Sequence, residues 1–169
     1  MKTLLVLRHA KASQDSPSNS DFDRPLKPRG RNQSLSLGRM MRDRGLAVDA
    51  IVASPAVRVG ETLSGLIEGG GASCEPMYDR RIYNASTGRL VDVIREADDK
   101  VERLLIAGHN PGLQHLILQL ANNDSDGLRE NVAFGYPTAA LAELQLSVEH
   151  WRDVGRQSGR IVSLIRPED

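Results

Sequence analysis

Two short apolar runs, Leu4–Leu7 and Leu104–Ala107, constrain the fold most strongly. Apolar runs of this length, bounded by polar or turn residues, are typical of strands buried on both faces of a parallel sheet. Each run is followed within two residues by a histidine. Parallel strands end at one edge of a sheet, and ligands bind outside that edge. We therefore expect His9 and His109 to share one pocket.

Apolar segments at residues 3–7, 49–53, 101–107, 138–146 and 160–165 are predicted to form strands. Segments with the apolar spacing of helices lie between the first three. This alternation predicts an α/β fold, a three-layer α/β/α sandwich with a mostly parallel sheet. The last two strands are joined by the short polar segment 149–155, which favours an antiparallel pair at the sheet edge.

A helix is predicted to begin sharply at Ser54-Pro55. Ser54 can cap the free amides, and Pro55 suits the first helical position because its missing N–H would be unpaired there anyway. Three glycines, Gly69–Gly71, should end this helix near Glu68 because glycine loses much backbone entropy in a helix. Arg58 and Thr62 then lie one turn apart on one face.

Composition restricts the class of protein. The 169 residues, 40% of them hydrophobic, fit a single domain over residues 1–169. Lys plus Arg and Asp plus Glu balance at 22 each, which argues against a nucleic-acid partner. The lone Cys74 excludes an internal disulfide and is compatible with a reducing compartment. With no apolar stretch long enough for a signal peptide or a membrane span, we expect a soluble, cytoplasmic protein with no membrane partner.

The candidate chemistry centres on Arg8-His9 at the end of the first strand. A permanent cation beside an imidazole can hold and attack a multiply charged anion. Arg58, in the first turn of the predicted helix, can hold two phosphate oxygens with its guanidinium fork. Thr62 could bond either Arg58 or the phosphate. The alternative is that these are a surface arginine and ordinary half-buried histidines.

The residue types favour phosphoryl transfer over other chemistry. A neutral His9 could attack phosphorus, and water would then cleave the phosphohistidine. A protonated His109 would join Arg8 and Arg58 in neutralising the transferring group. We expect no metal site, because an arginine beside His9 repels cations and further ligands at short spacing are lacking. His115 and His150 are expected to be structural or solvent-facing.

Three motifs follow one another along the chain: Arg8-His9-Ala10, Ser54-Pro55-x-x-Arg58-x-x-x-Thr62 and Gly108-His109-Asn110-Pro111-Gly112. Together they resemble the signature of the histidine phosphatase superfamily, and most of all its short SixA-type phosphohistidine phosphatases. The resemblance implies a phosphoglycerate mutase-like fold and no metal or other cofactor. It also implies that His9 is the phosphorylated nucleophile and that Arg8, Arg58 and His109 bind the phosphate, with Asn110 and Thr62 as further phosphate-binding candidates.

One position departs from the pattern of the larger relatives, which use a carboxylate to protonate the leaving oxygen. In the corresponding segment, residues 77–83, Asp79 is the one carboxylate, and it is our candidate acid. The alternative is a solvated or helix-adjacent aspartate. A missing acid would favour phosphohistidine as substrate, because imidazole leaves more easily than an alkoxide. The lack of a long insertion between Thr62 and Val101 favours an open pocket.

The leading hypothesis is a phosphatase acting on a histidine-phosphorylated signalling protein. A mutase or small-molecule phosphomonoesterase on the same scaffold is the alternative. A phosphate-binding module without turnover is the third, and pure binding would not require the nucleophile His9.

Overall fold

The computed structural model describes residues 1–123 and 125–167, and within them the chain forms one six-stranded sheet with helices on both faces. In chain order the elements are β1 (Lys2–Arg8), α1 (Pro28–Asp43), β2 (Ala50–Ala53), α2 (Val57–Glu68), β3 (Pro76–Tyr78), α3 (Thr87–Arg95), β4 (Arg103–Gly108), α4 (Gly112–Leu120), α5 (Leu128–Phe134), β5 (Leu141–Leu146) and β6 (Gly159–Ile165). Short 3₁₀ turns span Asp21–Asp23, Arg80–Ile82 and Trp151–Asp153. None of the helices in these ranges is long and apolar enough to cross a bilayer.

The strands lie in the order β3-β2-β4-β1-β5-β6. Strands β3, β2, β4 and β1 are mutually parallel, whereas β5 pairs antiparallel with both β1 and β6. The prediction of a mostly parallel sheet with an antiparallel edge is confirmed. Its parallel half brings the carboxyl ends of β1, β2 and β4 to a single edge.

Alternating side chains of β1 explain why its sequence is continuously apolar. Leu4 and Val6 pack into the core formed with α3, α4 and α5. Leu5 and Leu7 pack into the core on the opposite face, formed with α1 and α2. All four side chains are fully buried, as expected for a central strand covered on both faces. The α/β/α layering predicted from the sequence is therefore confirmed.

Helix α2 begins at Val57, two residues later than Ser54-Pro55 predicts. Ser54 stays with the sheet, because its N–H donates to the carbonyl of Ala107. The Ser54 hydroxyl accepts from the N–H of Ala56. Ala56 has a non-helical backbone, with φ −55° and ψ 141°, and is the N-cap of α2. The predicted end at Glu68 is correct, with Gly69 as the C-cap.

Three further differences lie away from the central strands. Strand β5 begins at Leu141 rather than at residue 138, because Ala139 adopts a positive φ of 61° and its N–H bonds to the carbonyls of Arg8 and His9. The three-residue β3 and the seven-residue α5 were not predicted. Both are too short to carry a readable apolar period.

Close packing of α1 against α2 depends on Gly38. A Cβ atom at this position would lie 2.2 Å from the carbonyl oxygen of Leu66. By contrast, a Cβ at Gly88 in α3 would meet nothing within 4 Å. Replacement by alanine can therefore be compared at a closely packed glycine, Gly38, and at a solvent-facing one, Gly88, which has no neighbouring atoms within 4 Å of the added Cβ.

We expect Gly38→Ala to lower the free energy of unfolding by about 1–3 kcal/mol, because the helices must separate to admit the methyl group. Gly88→Ala should leave stability unchanged or raise it by up to about 1 kcal/mol, since alanine is the better helix former. Urea unfolding of both variants measures the difference. Equal stabilities of the two variants would contradict the packing argument.

Candidate active site

The parallel register of β1 and β4 brings two histidines together. Arg8 pairs with Gly108, so His9 and His109 follow at the same edge, and the N–H of His9 donates to the carbonyl of Gly108 at 3.1 Å. The two imidazole ring centroids are 5.4 Å apart. The structure thus places both histidines in one site.

His9 is held as a neutral ring with one defined tautomer. Its side chain is only 8% exposed, and its Nδ1 lies 2.8 Å from the carbonyl oxygen of Ala10. A carbonyl only accepts, so Nδ1 carries the hydrogen and Nε2 keeps a free lone pair. Burial, together with the nearby guanidinium groups of Arg58 and Arg8, lowers the pKa of His9 to about 4. The ring is therefore neutral at neutral pH, with its one hydrogen on Nδ1.

Arg58 lies in the first turn of α2 and is 3% exposed. Its Nη2 donates to the Asp21 carboxylate at 3.1 Å and to Nδ1 of His109 at 3.2 Å. Its Nη1 donates to the Asp21 carbonyl at 2.7 Å. The guanidinium thus joins α2, β4 and the loop that follows β1.

Thr62 supports Arg58 rather than lining the cleft. Its hydroxyl, which is fully buried, donates to the Arg58 carbonyl at 2.7 Å and accepts from the Ala10 N–H at 3.0 Å. The sequence predicts that Thr62 bonds either Arg58 or the phosphate, and the structure contains the bond to Arg58, at the main-chain carbonyl of that residue. Thr62 fastens the segment after His9 to α2.

The hydrogen bonds of His109 hold it as a neutral ring. Arg58 can only donate, so Nδ1 of His109 accepts from it, and Nε2–H donates to the Ser54 hydroxyl at 2.8 Å. Burial and the adjacent Arg58 lower the pKa of His109 to about 3. The adjacent cation lowers the pKa because it disfavours a second positive charge on the buried imidazole.

Arg8 projects into the site from the end of β1. Its Nη1 donates to the Tyr136 carbonyl at 2.9 Å, and the amide of Asn110 donates to the same carbonyl at 3.0 Å. No carboxylate in the described ranges lies within ion-pair distance of Arg8. The Nε groups of both Arg8 and Arg58 are buried and have no hydrogen-bond partner among the described residues. Two such cationic N–H groups fit an oxyanion as their acceptor.

These side chains line one cleft of about 370 Å³. Five of the predicted site residues lie on its wall: Arg8, His9, Arg58, His109 and Asn110. Seven further residues complete it: Lys11, Ala12, Gln14, Asp21, Arg24, Asn84 and Thr138. Most of these come from the loop after β1, which has no apolar period and so gave no sequence signal for its path.

Asp79, the predicted acid, lies elsewhere. It caps the 3₁₀ turn Arg80–Ile82 by accepting from the Arg81 N–H at 2.9 Å, and it forms an ion pair with the Arg81 guanidinium at 2.7 Å. These bonds lower its pKa. Asp79 does not line the cleft, so the structure supports the helix-adjacent alternative.

Asp21 is the carboxylate that the structure brings into the cleft, and the sequence did not single it out. It accepts from the hydroxyl of Tyr83 at 2.6 Å and from Nε of Arg24 at 3.0 Å, besides Arg58. The Tyr83 hydrogen bond, together with both arginines, lowers the pKa of Asp21 to about 2. Its side chain is 50% exposed, in contrast to the buried Arg58 beside it.

The two remaining histidines lie outside this cleft, as expected. His115 is exposed on α4. His150 pairs with Asp99 at 2.9 Å in the connection before β6.

The sequence and the fold of this chain are similar to those of known proteins. Residues 4–90 match the histidine phosphatase superfamily (branch 1). An uncharacterized protein of Mycobacterium tuberculosis is 33% identical over 150 residues, which cover 88% of this chain and 91% of that protein. A protein of Agrobacterium tumefaciens assigned as the phosphohistidine phosphatase SixA has a similar structure, with a TM-score of 0.81, 26% identity and 99% coverage of both chains.

A second solved structure, of the protein histidine phosphatase SixA in complex with tungstate, has the same fold. Its TM-score is 0.79 at 17% identity, and the match covers 98% of this chain and 97% of that one. The buried histidine pair and the two arginines thus lie on the scaffold of a known family of enzymes. This chain belongs to the histidine phosphatase superfamily and is a phosphatase.

Proposed function

We propose that the chain, as a single domain over residues 1–169, removes the phosphoryl group from phosphohistidine through a covalent intermediate on His9. One observation carries the proposal: a neutral His9 with a free Nε2 lies in a cleft where two of the three lining arginines, Arg8 and Arg58, each keep a buried Nε–H without a partner among the described residues. A nucleophile beside donors that suit a tetrahedral oxyanion is what phosphoryl transfer requires.

The reaction has two steps. Nε2 of His9 attacks phosphorus as the bond to the leaving group breaks, and the leaving group departs with the bonding electrons. Water then attacks the phosphohistidine, the P–Nε2 bond breaks, and inorganic phosphate leaves. His9 returns to its neutral form, because Nδ1–H stays bonded to the Ala10 carbonyl through both steps.

Arg8 and Arg58 stabilise the charge on the phosphoryl oxygens during transfer. His109 lies beside Arg58 and offers a ring nitrogen to the same group, and Asn110 lies next to Arg8 on the cleft wall. A bound dianion favours the protonated form of His109, since an opposite charge raises the pKa of a neighbouring imidazole. We therefore assign phosphate binding to these four residues.

Phosphohistidine is the proposed substrate class for two reasons. The fold and whole-length likeness to SixA proteins support it. The cleft also opens at its half-exposed Asp21 side, where a side chain carried by another protein could enter. The partner would then be a histidine-phosphorylated signalling protein. A cytoplasmic location, suggested by the lone cysteine, stays a prediction.

A second candidate is a phosphomonoesterase for small molecules, and one observation favours it: a carboxylate, Asp21, lies in the cleft. Oxygen esters leave as strongly basic alkoxides or phenoxides and gain from a nearby acid. A mutase on the same scaffold would need the phosphoenzyme to persist until a second substrate hydroxyl arrives.

Replacing the nucleophile tests the covalent step. We expect His9→Ala to reduce turnover of an aryl phosphate by about 10³-fold or more, because the attacking nitrogen is gone. His150→Ala, which removes a histidine far from the cleft, should leave turnover unchanged. Mass spectrometry of the rapidly quenched wild-type protein should find a labile phosphate on His9. Undiminished turnover in His9→Ala would rule out the mechanism.

The guanidinium fork of Arg58 is expected to contribute to anion binding beyond its charge. Arg58→Lys keeps the positive charge but loses the paired N–H groups, so the inhibition constant for vanadate should rise about 10- to 100-fold, the value of one charged hydrogen bond. Arg39→Lys, an exposed change on α1, is the matched control. Equal inhibition of both variants would contradict the assignment.

The two neutral histidines should make stability depend on pH. Their pKa values are about 4 and about 3 in the folded chain, against 6.5 when exposed, so the unfolded state binds more protons between these limits. The free energy of unfolding should therefore fall by more than about 2 kcal/mol as pH drops from 6.5 to 4, at about 1.4 kcal/mol per pKa unit.

Urea unfolding at several pH values measures this dependence. The double variant His9→Asn, His109→Asn should lose most of it, whereas His115→Asn should keep it because His115 is exposed. A double variant with the wild-type slope would show that other groups are responsible.

A further inference from the structure

We propose that Asp21 is a catalytic residue, the proton donor to the leaving group, and that it extends this phosphatase to phosphate monoesters with basic leaving groups. The inference rests on the proposed covalent mechanism at His9. It assigns the acid role, which the sequence suggested for Asp79, to a residue of a different loop.

The position of Asp21 relative to the nucleophile is the first argument. Phosphoryl transfer is in line, so the leaving group lies opposite the attacking atom. His9 and Arg58 are 8% and 3% exposed and form the buried floor of the cleft, whereas the Asp21 side chain is 50% exposed at its mouth. A leaving group opposite His9 must therefore point toward the side where Asp21 stands.

The composition of the cleft wall is the second argument. Among the lining residues that the structure describes, Asp21 is the one carboxylate, and its other charged members are Lys11 and three arginines. Lysine and arginine hold their protons too tightly to serve as donors at neutral pH. Asp79, bonded to Arg81, is outside this wall.

The contacts of Asp21 show how it would gain a proton. Arg58 shares its Nη2 between Asp21 and His109, and an arriving phosphoryl group competes for the same guanidinium. Once Arg58 turns to the phosphoryl oxygens, Asp21 faces a dianion with only Tyr83 and Arg24 as opposing donors. Like charge then raises the pKa of the carboxyl group well above the low value it has beside Arg58.

The proton balance of the two steps is closed. Asp21 gives its proton to the leaving oxygen as the P–O bond breaks and the P–N bond to His9 forms. The resulting carboxylate then takes a proton from the attacking water as the P–N bond breaks, so phosphate is released and Asp21 is protonated again. Phosphohistidine gains little from this donor, because imidazole leaves as a neutral group when its other nitrogen carries a proton.

The test compares leaving groups rather than overall rates. Asp21→Asn keeps the size of the side chain and an oxygen for Arg58 and Tyr83 but cannot donate a carboxyl proton. The values of kcat/KM are measured for phenyl phosphate, whose leaving phenol has a pKa of about 10, and for 4-nitrophenyl phosphate, whose leaving group is far less basic. The ratio of the two cancels any change in binding of the shared phosphoryl group.

We expect Asp21→Asn to lose about 10²- to 10³-fold on phenyl phosphate and less than about tenfold on 4-nitrophenyl phosphate, as for loss of a general acid. Asp23→Asn, in the same 3₁₀ turn but bonded to Ser18 and outside the cleft, should match the wild type on both. An equal loss on both substrates would overturn the proposal, because Asp21 would then only position Arg58. No loss on either would also overturn it.

A third substrate separates this inference from the proposed function. A phosphohistidine peptide should be hydrolysed by the wild type and by Asp21→Asn at similar rates. If the wild type ignores the peptide but the aryl ratio shifts as expected, phosphohistidine fails as substrate and Asp21 stands. If the peptide is hydrolysed and the ratio of the two aryl phosphates does not shift, phosphohistidine is the substrate and the acid role of Asp21 is wrong.

Discussion

The parallel pairing of β1 with β4 is the constraint on which the site depends. Because Arg8 and Gly108 are register partners, the residues after them leave the sheet together, and His9 and His109 come into contact. The neighbouring strand β2 ends at the same edge and is followed by α2, whose first turn contains Arg58. The ends of these three strands therefore bring two imidazoles, of His9 and His109, and the Arg58 guanidinium to one place at the edge of the sheet.

Burial sets the chemistry of these groups. Both imidazoles are enclosed beside arginines, so both are neutral, and each ring is oriented by a hydrogen bond that fixes its tautomer. Three guanidinium groups and Lys11 on the cleft wall create an excess of positive charge, which the Asp21 carboxylate balances only in part, from the exposed side. The excess positive charge favours binding of an anion. Burying cations costs free energy, which the packing of the sheet beneath the site offsets.

Much of the fold could be predicted from patterns in the sequence. The central strands were recognised because each is apolar on both faces, and the end of α2 because glycine follows it. The start of α2 was placed too early, because Ser54 bonds to Ala107 and His109, contacts that exist only once β4 lies beside β2. The apolar pattern predicts that residues 138–140 belong to a strand, but the N–H of Ala139 bonds to two main-chain carbonyls, of Arg8 and His9, at the end of β1.

The sequence by itself determined which groups lie at the strand ends. A buried apolar run must end where polar residues begin, and these are Arg8-His9 after one run and Gly108-His109 after the other. Only the tertiary structure decided which side chains of other segments contact these groups. The loop after β1 has no period to read, and its path, which brings Asp21 against Arg58 and leaves Asp79 bound to Arg81, depends on hydrogen bonds between residues distant in the chain. Local patterning is set by burial along one strand, whereas a cleft is assembled from contacts that form when separate elements pack.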